Sequence, residues 1–129
     1  MQAALAQFLG ESKVLAKAVL IKLQRMRAAL ERSDFFARHV FVRTSILITY
    51  DELAHTRLHK GGGSSAEELL SLTAPAALEV KMIDFAHVRE APDGRKLTHR
   101  ASRSADPSED GYLTGLDSLI AMLERVLAQ

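Results

Sequence analysis

The stretch Val80-Lys81-Met82-Ile83-Asp84-Phe85-Ala86-His87 places a carboxylate near the end of an apolar run, with an imidazole three residues further on. Read as a strand, it sets Asp84 on the face shared with Leu78, Val80 and Met82. Burying an unpaired carboxylate is costly, so an Asp there needs a cation, a metal or backbone donors. In phosphoryl-transfer enzymes a strand-end Asp commonly holds Mg²⁺ against nucleotide phosphates. The plainer reading has Asp84 capping the following turn through backbone hydrogen bonds. His87 is a donor for a phosphate or a proton relay near neutral pH, or merely a hydrogen-bonded His.

Other constellations are weaker. His55 and His59 stand four apart, but Thr56 occupies the position where a metalloprotease motif carries Glu, and no third ligand is evident. Gly61-Gly62-Gly63 lacks both the GxGxxG spacing and the Lys of a phosphate loop, and reads as a linker. Arg89, Arg95, Lys96, His99, Arg100 and Arg103 are diluted by Asp93, Asp106, Glu109 and Asp110, so the segment reads as a solvated loop rather than an anion site.

The elements that must position these groups follow from hydrophobic period. Leu15, Val19, Leu23, Met26 and Leu30 recur at helical steps, with Ser12 as N-cap and an end near Arg32. Lys13, Lys17, Lys22, Arg25 and Arg27 fall mostly on the remaining, wet faces. Residues before Gly10 suit a separate short helix, and Ser33-Asp34 a stop and turn. From His39 to Tyr50 the period changes to two, predicting one strand, and a second is expected over Ala77 to Phe85. Ala66 to Leu72 suits two helical turns stopped by Pro75. Leu116, Leu119, Ile120, Leu123, Val126 and Leu127 form the stripe of a closing helix. The expected fold is α+β: a long N-terminal helix, a two-stranded antiparallel pair and a C-terminal helix. It forms a single partial domain over residues 1–129, with flexible insertions at about 52–65 and 89–109. Two strands alone are marginal in water, so the helices must pack on them.

Composition narrows the class. The 129 residues are 47% hydrophobic and 26% charged, as in an ordinary globular domain. A net charge of +1 gives no bulk attraction to nucleic acid or anionic membrane. Cys is absent, which removes disulfides, thiolate metal sites and cysteine nucleophiles. The apolar start at Met1 to Gly10 is too short to span a bilayer and lacks a basic secretory start. A soluble chain is expected, in the cytoplasm or also the nucleus.

Three motifs in order resemble the inositol polyphosphate kinases. That family carries a Ser-Ser-Leu-Leu strand, an Ile-Asp-Phe motif, and an Asp-x-Gly-Tyr-x-x-Gly-Leu stretch opening the last helix. The first matches Thr44-Ser45-Ile46-Leu47-Ile48-Thr49-Tyr50-Asp51, with Thr44 and Ile46 as variants. The second matches Met82-Ile83-Asp84-Phe85-Ala86-His87-Val88. The third is Asp110-Gly111-Tyr112-Leu113-Thr114-Gly115-Leu116, where either Glu109 or Asp110 takes the place of the family's Asp. With the helix ahead of them, the motifs cover about residues 8 to 129 and look most like the multikinase and hexakisphosphate-kinase branches.

The resemblance implies part of the C-terminal lobe of such a kinase, and ATP-dependent phosphoryl transfer to an inositol phosphate. It assigns Asp84 to the Mg²⁺ that bridges ATP phosphates, Ser45 to the neighbourhood of nucleotide and metal, and His87 to the inositol phosphate. The expected ligands are thus ATP, Mg²⁺ and an inositol polyphosphate, without nucleic acid or membrane. The family's Pro-x-x-x-Asp-x-Lys-x-Gly motif, which supplies catalytic side chains, has no match here, nor has the lysine of the N-terminal lobe. Little or no activity is therefore expected of the chain alone, because phosphoryl transfer relies on many positioned charges. The missing lobe or a protein partner would complete it. The alternative is a non-catalytic module that binds inositol phosphates or a protein.

Overall fold

The computed structural model describes residues 1–10, 12–52, 78–101, 106 and 108–129. The His55/His59 pair, the glycine run, the expected turns at Ala66 to Leu72 and Arg103 lie outside them. In chain order come α1 (Gln2–Phe8), α2 (Lys13–Arg32), α3 (Asp34–Ala37), β1 (His39–Phe41), β2 (Ser45–Tyr50), β3 (Leu78–Ile83), β4 (Val88–Glu90), a 3-10 turn (Pro92–Gly94) and α4 (Tyr112–Ala128). The α+β reading holds, with a long early helix, an antiparallel strand pair and a closing helix.

Helix α2 begins where its sequence says: the Leu15 amide donates to Ser12 Oγ at 3.2 Å, satisfying one of the orphan donors of the first turn. At the other end Ser33 serves two helices. Its amide donates to the Leu30 carbonyl, and its hydroxyl accepts from the Phe36 amide at 3.1 Å to start α3. The apolar stripe of α2 packs on that of α4, so that Leu15, Val19 and Leu23 share one core with Leu116, Ile120 and Leu123. Each such fully buried side chain contributes about 1.5–3 kcal/mol. The basic faces of α2 are not all wet: Lys22 Nζ donates to the Leu78 carbonyl at 3.0 Å, and Arg27 pairs with Asp117 of α4 at 3.1 Å.

Strands β2 and β3 pair antiparallel, with Ser45 opposite Ile83 and Tyr50 opposite Leu78. Ile46, Ile48 and Tyr50, with Leu78, Val80 and Met82, turn one face of this ladder onto the helical core. The other face carries Ser45, Leu47, Thr49 and Lys81, all exposed. Strands β1 and β4 make a second antiparallel pair, with Phe41 opposite Val88.

The single strand expected over His39 to Tyr50 is thus two, in separate sheets. Between the pairs Phe41–Val88 and Ser45–Ile83, the three residues Val42 to Thr44 face the four residues Asp84 to His87. One extra residue on the second side bends the ribbon in the manner of a β-bulge. Arg43 at φ 61° and Asp84 at φ 70° both take the left-handed conformation at this bend, which ends the regular alternation of side chains.

The described part of the charged segment after β3 is built into the fold. Beyond β4, the Ala91 and Leu97 amides donate to the Arg38 and Ala37 carbonyls at 2.8 and 2.7 Å, and Ala91 and Leu97 pack with Val40 in a small second core. Among the described residues, no helix is long and apolar enough to cross a membrane.

Candidate functional site

The bend between the two ladders holds the residues singled out by chemistry. Asp84 follows the last residue of β3, and His87 precedes the first of β4. The intervening turn is closed by the Val88 amide, which donates to the Phe85 carbonyl at 3.2 Å. On the facing side, Thr44 Oγ1 donates to the main-chain carbonyl of Asp84 at 3.2 Å. The Asp84 backbone is therefore pinned while its carboxylate is left over.

That carboxylate is exposed, which corrects the expectation that it is buried beside Leu78, Val80 and Met82. Its positive φ removes it from the strand's alternation, so burial does not force a counter-charge on it. It accepts no hydrogen bond and forms no ion pair among the described residues, and it caps no turn with its side chain. Ser45 and His87 are exposed as well, and neither side chain has a hydrogen-bond partner among the described residues. Register sets Ser45 opposite Ile83, one step from Asp84, and no hydrogen bond ties Ser45, Asp84 and His87 together.

No group of three or more metal-ligating side chains exists among the described residues. A single free carboxylate nonetheless suits Mg²⁺, which keeps several waters and is typically bound through one or two carboxylates plus substrate phosphates. Asp84 fits as one such ligand. Beside the bend opens an apolar groove of about 480 Å³, walled by Leu30, Phe36, Phe41 and Met82. Phe35 and Phe85 stand at it with 59% and 54% of their surface exposed.

The group that sequence reasoning missed is His99. It was expected in a solvated loop but is only 1% exposed, with its ring stacked on Phe36 at a centroid distance of 3.8 Å. Nδ1 meets the Asp110 carboxylate at 2.8 Å, and Nε2 meets the Phe36 carbonyl at 2.6 Å. Both partners are acceptors, so the two bonds exist together only when both ring nitrogens carry hydrogen. Asp110 also accepts from the Phe41 amide at 2.7 Å and the Tyr112 amide at 2.8 Å. Burial pushes the Asp110 carboxyl up, but the bonds from His99, Phe41 and Tyr112 together outweigh it and hold it below the usual carboxylate range. Glu109, also buried, accepts from the Thr98 and His99 amides at 2.8 and 2.9 Å. The adjoining acids weighed for the third motif therefore have different tasks: Glu109 holds the loop, and Asp110 joins β1, the loop and the start of α4. No pattern of apolar residues singles out His99, which stands among Arg95, Lys96 and Arg100 in the sequence.

The other described basic residues of the segment are exposed; Arg89 has no side-chain partner among the described residues, and three are paired. Arg95 meets Asp106 at 3.2 Å, Lys96 lies 3.9 Å from Asp34, and Arg100 meets Asp117 at 2.8 Å.

Comparison with known proteins adds an independent finding. Residues 1–124 match the family described as inositol polyphosphate kinase. Inositol-trisphosphate 3-kinase A of Rattus norvegicus is 37% identical over 114 residues, covering 88% of this chain and 20% of the relative. The inositol-trisphosphate 3-kinase homolog of Caenorhabditis elegans is 35% identical over 120 residues, covering 92% of this chain and 20% of its own length. Inositol hexakisphosphate kinase 3 of Mus musculus is 32% identical over 126 residues, covering 95% and 29%. The chain thus spans between a fifth and three tenths of the length of these relatives. Given the ordered motifs and a match that runs through almost the whole sequence, the chain belongs to the inositol polyphosphate kinase family.

Proposed function

We propose that this chain supplies one wall of a kinase active site, contributing the Asp84 carboxylate to ATP-dependent phosphoryl transfer onto an inositol phosphate. The observation that carries this reading is the free carboxylate on a pinned backbone: Asp84 has its carbonyl held by Thr44 while its side chain is exposed and unpartnered among the described residues. A bound Mg²⁺ would supply positive charge against the charge developing during transfer. Asp84 would contribute one anionic ligand to it. Ser45, one register step away, offers a hydroxyl on the same exposed ladder end. His87, on the far side of the turn, is a hydrogen-bond donor for a phosphate of the acceptor. The names of the relatives, inositol-trisphosphate 3-kinases and an inositol hexakisphosphate kinase, support an inositol phosphate as that acceptor.

Among the described residues no group of three or more metal-ligating side chains exists, and phosphoryl transfer relies on many positioned charges, so turnover by the chain itself is expected to be negligible. The test is a Mn²⁺ titration followed by paramagnetic broadening of amide signals. Broadening centred on Asp84 and abolished in Asp84→Asn supports the assignment. Broadening elsewhere, or none in the presence of ATP, overturns it. ATP-dependent phosphorylation of inositol trisphosphate by the purified chain at an ordinary enzymatic rate would overturn the partial-site reading.

A second reading is favoured by the groove. Exposed Phe35 and Phe85 at an apolar cleft suit a module that binds a protein, catalytic or not, since exposed apolar patches mark association sites. Mn²⁺ silence at Asp84 together with partner-dependent protection of Phe35 and Phe85 would move the conclusion to this reading.

A further inference from the structure

We infer that the buried pair His99 and Asp110 is a positioning device for the bend that carries Asp84 and His87. The inference rests on the reading of that bend as the functional site. Every polar atom of His99 is engaged: Nδ1 with Asp110, Nε2 with the Phe36 carbonyl, the amide with Glu109, and the carbonyl with the Leu113 amide at 2.9 Å. His99 itself takes φ 56°, a conformation that a residue with a Cβ adopts only when its surroundings determine it. The side chain of Asp110 is 1% exposed and collects three donors from three segments: the loop, the end of β1 and the first turn of α4.

The link to the site runs through Phe41. Its amide bonds the Asp110 carboxylate, which takes the place of a neighbouring strand's carbonyl on that edge of β1. Across the ladder Phe41 faces Val88, whose amide closes the turn of Phe85 to Val88. Phe41 and Val88 are the last paired residues before the bend, so the carboxylate holds the root from which Val42 to Thr44 and Asp84 to His87 both depart. A buried network with all its members satisfied has few alternative arrangements, which is the property required of a group that holds geometry at a distance. His99 and Asp110 touch no reacting group; they act through Phe41 and Val88.

Native-state hydrogen exchange on the unmodified chain tests this. The Phe41, Tyr112 and His99 amides report the network, and the Val88 amide reports the turn. Val88 is expected to open together with the network, with protection factors within about threefold of one another. Val88 exchanging about tenfold or more faster than Phe41 overturns the inference. Asp110→Asn gives a second readout, with Tyr112→Phe as a control at the same helix start. Asp110→Asn is expected to displace the amide signals of Arg43, Thr44 and Asp84 to His87 while those of Ile48 and Val80 stay in place. Bend signals at their wild-type positions, with only Phe41 losing protection, would make the pair a local clamp and nothing more. Should the variant fail to fold, the exchange measurement on the unmodified chain decides alone. The Mn²⁺ titration separates this inference from the functional reading: metal silence at Asp84 removes the reading and leaves the coupling of Val88 to Phe41 standing or falling by itself.

Discussion

The hydroxyl of Thr44 donates to the carbonyl of Asp84 at 3.2 Å, so the residue before β2 ties down the residue after β3 at the open end of their ladder. The bond is solvent-accessible and joins neutral groups, which limits its net worth to about 0.5–1.5 kcal/mol. Thr44→Val keeps the β-branched shape and removes the donor. Its expected outcome is a drop of about 1 kcal/mol in the free energy of urea unfolding, with an unchanged m-value. The Asp84 amide signal should also broaden by exchange, whereas a sharp, unshifted signal would show that Thr44 does not hold the bend.

Asp84 has two separable properties, a left-handed backbone and a free carboxylate, and a substitution series distinguishes them. At φ 70° Asn and Gly are tolerated, whereas Ala meets the Cβ penalty of about 1–2 kcal/mol. Asp84→Asn is therefore expected to match the wild type in thermal stability while losing Mn²⁺ binding. Asp84→Ala is expected to lose both. Equal destabilisation by Asn and Ala would mean that the carboxylate is used structurally, against the free side chain seen here.

Acid should weaken the fold through Asp110. Its folded pKa lies below the ordinary value of 3.8, so the folded state favours the ionised form. The stabilisation is complete above the unfolded pKa and is lost as pH falls from there through the lower folded value. Asp117 shifts in the same direction, chiefly through its hydrogen bond to Arg100, but its exposure leaves it a small share. The urea midpoint is expected to change little through Asp110 above about pH 5 and to fall steeply below about pH 4. Asp110→Asn should flatten that acid limb; an unaltered slope would remove Asp110 from the account.

Much of this architecture was legible in residue spacing. The Ser12 cap and the stripe from Leu15 to Leu30 gave α2, and the second strand was expected within a few residues of Leu78–Ile83 at each end. Hydrophobic alternation failed at Arg43, because a left-handed residue leaves no trace in a pattern of apolar and polar types. It also cannot count residues on a partner strand, so the four-against-three mismatch at the bend was invisible. The exposure of Asp84 follows from that same mismatch. His99 was obscured by its basic neighbours: a buried imidazole needs carboxylate and carbonyl partners, and those come from Asp110 and from Phe36, 63 positions away.

Ser33 closes α2 and opens α3, so its removal should affect a junction rather than a single helix. Ser33→Ala deletes the acceptor for the Phe36 amide, a loss of about 1 kcal/mol. Phe36 stacks on His99 and gives its carbonyl to Nε2, so fraying of α3 should also show at the His99 ring. The expected result is a lower urea midpoint with a shifted His99 ring signal. A stability loss without any change at His99 would mean that α3 and the buried network are independent.

Tyr112 carries the opposite sign. Its hydroxyl is buried and has no hydrogen-bond partner among the described residues, while its ring meets Phe36 and Phe41 edge-on or tilted at 5.8 and 6.2 Å. Burial, reinforced by the nearby Asp110 charge, pushes its phenol up to about 12. An unpaired buried hydroxyl costs about 1–3 kcal/mol of desolvation, which the unfolded chain does not incur. Tyr112→Phe keeps the ring contacts and removes that cost, so the variant is expected to be as stable as the wild type or more stable by about 1 kcal/mol. Because the ring packs beside Phe41 without sharing its hydrogen bond to Asp110, the amide signals of the bend should not move. A loss of more than about 1 kcal/mol on urea unfolding would show that the hydroxyl is satisfied after all, because only the rupture of an existing hydrogen bond accounts for a penalty of that sign and size.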